Sequence, residues 1–184
     1  MKKYYLIFIL ASLFLILTSC NKEDIEDISG ELMEYYNENW ISIRESKTEK
    51  KYPLQIKLFE IEREQDATLD QQRLEVIELM EKELIPVTDD AIKQFQKIEL
   101  KHQKVKELND MQIEVERLAR EMLEAGIDYY KGDISESELE EMEGELSSKK
   151  DDVVDYINQL MEEYDLEFNK DEKNVEGLYE MIRK

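Results

Sequence analysis

The sequence predicts an all-α protein, an elongated antiparallel bundle of three to four long helices behind a short N-terminal leader. Three observations predict it. Five glycines and two prolines in 184 residues are too few for a β-sandwich or a β-barrel. Apolar residues make up 41% of the chain, and they recur at three- and four-residue steps. The breaks between these stripes are short, which sets neighbouring helices antiparallel. A charged fraction of 39% and a mean hydropathy of −0.65 also suit a disordered chain. The periodic stripes decide for a fold, because helices this long bury their apolar faces only against one another.

The elements follow in order. Ile25, Ile28, Leu32, Tyr36, Trp40 and Ile43 share one face of a first helix over 23–47. The polar run Ser46 to Lys51 and the following Pro53 predict a loop and then a second helix over 53–84. Leu54, Ile56 and Leu58 alternate as in a strand, but no partner strand is in view, so a helix is preferred. Gln65 and Gln72 weaken the stripe, so a local break is expected near Asp66–Thr68. Pro86 is expected to stop this helix, and Thr88-Asp89-Asp90 to start the next. The third helix covers 89–130 with Phe95, Ile98, His102, Val105 and Leu108 on its seam, about 60 Å long at 1.5 Å per residue. Lys131-Gly132-Asp133 is a tight turn, and Ser135 with Glu138 forms a capping-box pattern. The fourth helix covers 134–168, and a last short amphipathic piece carries Val175, Leu178, Tyr179 and Ile182.

The N-terminus carries the most specific signal. Lys2 and Lys3 precede Tyr4 to Leu17, an uncharged and mostly apolar stretch too short to span a bilayer. Leu17-Thr18-Ser19-Cys20 follows, with the chain's one cysteine at its end. This tetrapeptide resembles the lipobox of bacterial lipoproteins. The resemblance implies a diacylglyceryl group on Cys20 and cleavage between Ser19 and Cys20. The expected organisation is a signal peptide at 1–19, a lipidated N-terminus and tether at 20–22, and an acidic helical domain at 23–184. Two or three acyl chains hold a protein on a membrane where one does not.

The formal charge is −21, and removal of Lys2 and Lys3 leaves about −23. Such a surface repels nucleic acid and other polyanions and attracts cations and basic peptides. One cysteine and one histidine exclude an internal disulfide and a histidine- or cysteine-rich metal site. No catalytic motif is present, so no catalytic residue, metal or cofactor is expected. His102 reads as a residue at the seam's edge. Tyr36 and Trp40 lie on the apolar face and read as core. Tyr35, Tyr129 and Tyr130 are harder to place. A group of them exposed at one end of the bundle would be the first candidate for a binding surface.

The lipobox with long Glu/Lys-rich helices resembles the YkyA-type cell-wall-binding lipoproteins. The resemblance implies a three-helix bundle at the envelope and carries over no functional residue except Cys20. Wall polymers are themselves acidic, so the wall-binding label fits poorly with a charge near −23. Two functions are consistent with these readings. One is a lipid-anchored, non-enzymatic binding or scaffold module on the outer face of the cell membrane, partnered by an envelope protein or peptide. The other is sequestration or immunity, the capture of a cationic peptide at the membrane surface. The oligomeric state is open, since exposed helix faces can also pair between chains.

Overall fold

A computed structural model describes residues 24–64, 68–173 and 179–184. The predicted leader and lipobox, Leu17, Thr18, Ser19 and Cys20, lie outside the described residues. The chain is an all-α bundle of four long helices with one small antiparallel sheet.

The first long helix runs without interruption through α1 (24–34), a π turn at Tyr35–Trp40 and α2 (Ile41–Arg63). The expected loop at 46–51 does not form, and Pro53 lies inside the helix. The polar run is an interface. Lys47 pairs with Glu116 and Lys50 with Asp90, at 2.7 Å, so its cations face neighbouring helices. Pro53 itself is exposed, and so is Glu49, whose carbonyl loses its helical donor to the proline ring.

The second long helix is α3 (Leu69–Leu79), a π turn at Met80–Leu84 and α4 (Ile85–Gln96). The break expected near Asp66–Thr68 occurs. Thr68 caps α3 through a reciprocal box with Gln71, which ties down two otherwise orphaned N–H groups. Pro86 does not stop the helix. The ladder widens just before it, with the Ile85 N–H donating to the Met80 carbonyl, and the proline takes the first positions of α4, where no donor is required.

The expected helix over 89–130 is in fact divided. α4 ends at Gln96, residues 97–102 form a linker, and α5 covers Gln103–Lys131. No glycine or proline marks this break. Side chains distant in sequence hold it. The Asn109 amide donates to the Phe95 carbonyl at 3.2 Å, beside the Ile98 N–H at 3.3 Å, and so holds α4's last turn. Glu31 accepts the backbone N–H groups of Lys101 and His102 at 2.6 and 2.8 Å. The Lys131–Asp133 turn forms as expected, with Gly132 left-handed at φ 85°, and the Ser135–Glu138 box starts α6 (Glu136–Glu163).

α6 stops five residues before its expected end at 168. Asp165 is left-handed at φ 54°, and the chain turns into β1 (Leu166–Lys173), paired antiparallel with β2 (Tyr179–Arg183). Of the last amphipathic piece, Val175 and Leu178 lie outside the described residues, and Tyr179 and Ile182 lie in a strand over 179–183 and not in a helix. Leu166 and Met181 are buried in the main core. Asn37, from the first π turn, donates to the Met181 carbonyl and accepts its N–H, both at 2.8 Å. The side-chain amide thus acts as one residue of a neighbouring strand.

Two apolar clusters result. The larger joins α1, the first π turn, α4, the first half of α5, α6 and the hairpin. The smaller joins the end of α2, α3, the second π turn and the last turns of α5.

Candidate functional site

The three tyrosines singled out by sequence do not form one site. Tyr35 is buried, with 1% exposure, in the first π turn. The extra residue of that turn brings Tyr35, Tyr36 and Trp40 inward together, and Tyr36 and Trp40 stack at 4.8 Å. Tyr36 and Trp40 are core residues, as their place on the stripe indicated. Tyr129 and Tyr130 meet edge to face at 5.7 Å near the other end of α5. That is 26 residues beyond the start of α5 at Gln103, or about 40 Å along the helix. Tyr129 is exposed and Tyr130 is packed against the smaller cluster. Tyr35 is accordingly not an exposed binding aromatic.

Tyr35 instead forms part of the wall of a cleft of about 440 Å3 between α1 and the linker 97–102. One turn after another, α1 presents Glu26, Asp27, Gly30, Glu31 and Glu34. The linker supplies Glu99, Lys101 and His102. Their spacing of three and four residues puts the α1 carboxylates on one helix face. Five carboxylates therefore stand against one ammonium and one imidazole.

Three of the five carboxylates have structural work. Glu26 binds Arg183 at 3.2 Å, tying the C-terminal strand to α1. Asp27 lies 3.2 Å from the His102 ring. Glu31 caps the approach to α5, where the helix dipole favours a negative charge. Glu34 and Glu99 face the cleft with no ion pair among the described residues. His102 is half-buried and is the N-cap residue of α5, so it stands just outside the helix and not on the seam of a continuous third helix.

Tyr35 lines the cleft, and its buried hydroxyl has no hydrogen-bond partner among the described residues. Burial, and then the charge of Asp110, hold its pKa far above the ordinary tyrosine value. A buried hydroxyl without a partner costs about 1–3 kcal/mol. Among the described residues, no three of His, Cys, Asp and Glu converge as a metal ion would require. The carboxylates are spread along a cleft, an arrangement suited to an extended cationic group. Asp27 and Glu31 were not singled out from sequence, although their four-residue spacing was readable there. Their partners Lys101 and His102 lie 70 and more residues away, and only the fold brings them together.

No helix among the described residues is long and apolar enough to cross a membrane. The chain matches no protein-family model, no curated protein and no solved structure.

Proposed function

We propose that this chain is a lipid-anchored, non-enzymatic binding module of the bacterial cell envelope, held on the outer face of the membrane through Cys20, whose acidic cleft receives a cationic segment of a partner. The observation that carries the reading is the cleft itself. Five carboxylates line it, two of them without ion pairs among the described residues, together with Tyr35, whose buried hydroxyl lacks a partner among the described residues.

Its place in the chain favours the capture of a basic peptide close to the bilayer over a generic scaffold. Glu26 is six residues from Cys20, so the rim of the cleft stands at most roughly 20 Å from the lipid-bearing residue. A field screened over about 8 Å in physiological salt acts on a cation only within that zone.

The test has two parts. Cys20→Ala abolishes processing and membrane attachment in fractionated cells; unchanged attachment rejects the anchor. The full chain in neutral detergent is then titrated with cationic peptides at low and moderate salt, beside Glu34→Gln/Glu99→Gln. Selective micromolar binding that drops at least fivefold in the double variant is expected. Equal weak binding to every polycation, unaffected by the double variant, rejects the cleft.

A further inference from the structure

A second cavity has the opposite charge. It measures about 280 Å3 and opens between α2, α5 and α6. The first π turn contributes Trp40 and α2 contributes Arg44, Lys47 and Lys51, which follow steps of four, three and four along one continuous helix and so share one face. α6 contributes Lys150 with Val153 and Val154, and α5 contributes Gln112, Val115 and Glu116. Four cations thus meet one carboxylate, in a chain whose net charge is −21.

The floor of this cavity is a buried polar relay. The Trp40 indole N–H donates to the Gln112 Oε1 at 3.0 Å. The Gln112 amide donates to the Glu116 Oε1 at 3.3 Å, and Lys47 donates to the Glu116 Oε2. Gln112 and Glu116 are each 4% exposed, so the relay is fixed within the core. It uses up Glu116 and Lys47. The Arg44 guanidinium lies 4.6 Å over the Trp40 ring, within cation–π range. Lys51 and Lys150 make no ion pair among the described residues. Lys51 is half-buried, and its pKa is lowered first by burial and then by the neighbouring charges of Lys47 and Lys150. Lys150 is exposed and Glu116 acts on Lys51 in the opposite sense, so the repulsion is partly relieved, and an anion between the two lysines would relieve it further.

We propose that this cavity is an anion site that takes a small phosphate-bearing group, ringed by Arg44, Lys51, Lys150 and the Thr48 hydroxyl over the Trp40–Gln112–Glu116 floor. Lys51 and Lys150, the two cations beyond the internal Lys47–Glu116 pair that make no ion pair among the described residues, match a doubly charged phosphate better than a single carboxylate. The volume is near the lower end of small-ligand sites, about 300–1,000 Å3, which suits a phosphate and a short carrier. The valines and the indole ring give that carrier an apolar wall. This site is independent of the acidic cleft and of the lipid anchor, since it shares no residue with either.

Trp40 is the only tryptophan of the chain, so its fluorescence reports on this cavity directly. The experiment titrates the full chain in neutral detergent with inorganic phosphate, glycerol 3-phosphate and soluble short-chain phosphatidylglycerol. Sodium chloride at matched ionic strength and succinate are the references. A saturable change with phosphate compounds, at least tenfold weaker in Lys51→Met/Lys150→Gln and unchanged in Lys50→Gln, is expected. Lys50 serves as the control because its charge is already paired with Asp90. In the absence of any anion, the double variant melts no lower than the parent chain, which separates loss of binding from loss of fold. Tighter binding of the lipid than of glycerol 3-phosphate identifies a headgroup as the source of the phosphate; the reverse identifies a free phosphate compound. A response equal to that of chloride, tighter binding of succinate, or unchanged affinity in the double variant overturns the proposal.

Discussion

At the hairpin end, four helices and a two-stranded sheet close around three aromatic residues of one π turn. At the other end, α2, α3 and the tail of α5 close around six buried aliphatic residues, while the start of α6 stays almost wholly in solvent. Each end contains a π turn, but the two turns serve different purposes. The first adds a residue so that Tyr35, Tyr36 and Trp40 all face inward and Asn37 reaches the sheet. The second lets a helix continue through Pro86. π turns are uncommon and often mark functional positions. Here both the acidic cleft and the basic cavity border the first turn, through Tyr35 and Trp40, and neither borders the second.

The largest expected effect tests whether stability is concentrated where the sites are. Phe95 is fully buried at the hairpin end, between α1 and α5, and its carbonyl is also held by Asn109. Phe95→Ala removes a ring from a closed core and should cost about 3–5 kcal/mol. Leu79→Ala in the smaller cluster should cost less, about 2–3 kcal/mol, because the thin packing there can relax into the space. Chemical denaturation of both variants checks the order. A larger loss for Leu79→Ala would reverse the comparison.

How much of this was legible follows from what each feature rests on. The Gly132 turn, the Ser135–Glu138 box and the stripes of α5 and α6 are local, and sequence revealed them. The division at 97–102 depends on Asn109 and Glu31, contacts made across 14 and 70 residues, so no local breaker marked it. The run at 46–51 looked like a loop because its lysines appeared solvated; their partners Asp90 and Glu116 lie on other helices. Phe168 fits a helical stripe as well as a strand, so the sequence predicts a helix there, and only the left-handed Asp165 separates the two. For the basic cavity, half of the signal was present. Arg44, Lys47 and Lys51 fall on one helix face by spacing alone. Lys150 joins them only through the pairing of α6 with α5.

The second effect sharpens the contrast through pH. Burial pushes the Tyr36 phenol up from 10.0 to about 12, with Arg44 pulling the other way, and Tyr35 is raised further. The raised value means that the neutral phenol is favoured by folding. Its stabilisation is complete below pH 10 and is lost as pH rises through 12. For Tyr36 alone this corresponds to about 3 kcal/mol. Alkaline unfolding should therefore begin at the hairpin end, with Trp40 fluorescence changing before far-ultraviolet circular dichroism. Lysines also lose their charge in this window, so Tyr36→Phe is the control. It should move the alkaline midpoint upward, and an unmoved midpoint would assign the loss to the lysines.

The smallest effect addresses the start of α6. Over 136–145 only Leu139 and Met142 are even half-buried, and Gly144 interrupts the segment. A Cβ at Gly144 would meet nothing within 4 Å, so alanine there costs no contact. It restricts the unfolded chain and favours the helix by about 0.5–1 kcal/mol. Where that gain appears is informative. Regions with few buried contacts open locally, at free energies below that of global unfolding. If the start of α6 opens separately, Gly144→Ala should slow amide exchange there and leave Tyr35–Trp40 unchanged. Slower exchange by the same factor in both places would mean that the ends unfold as one unit, and the thin end could not be treated as a separate region.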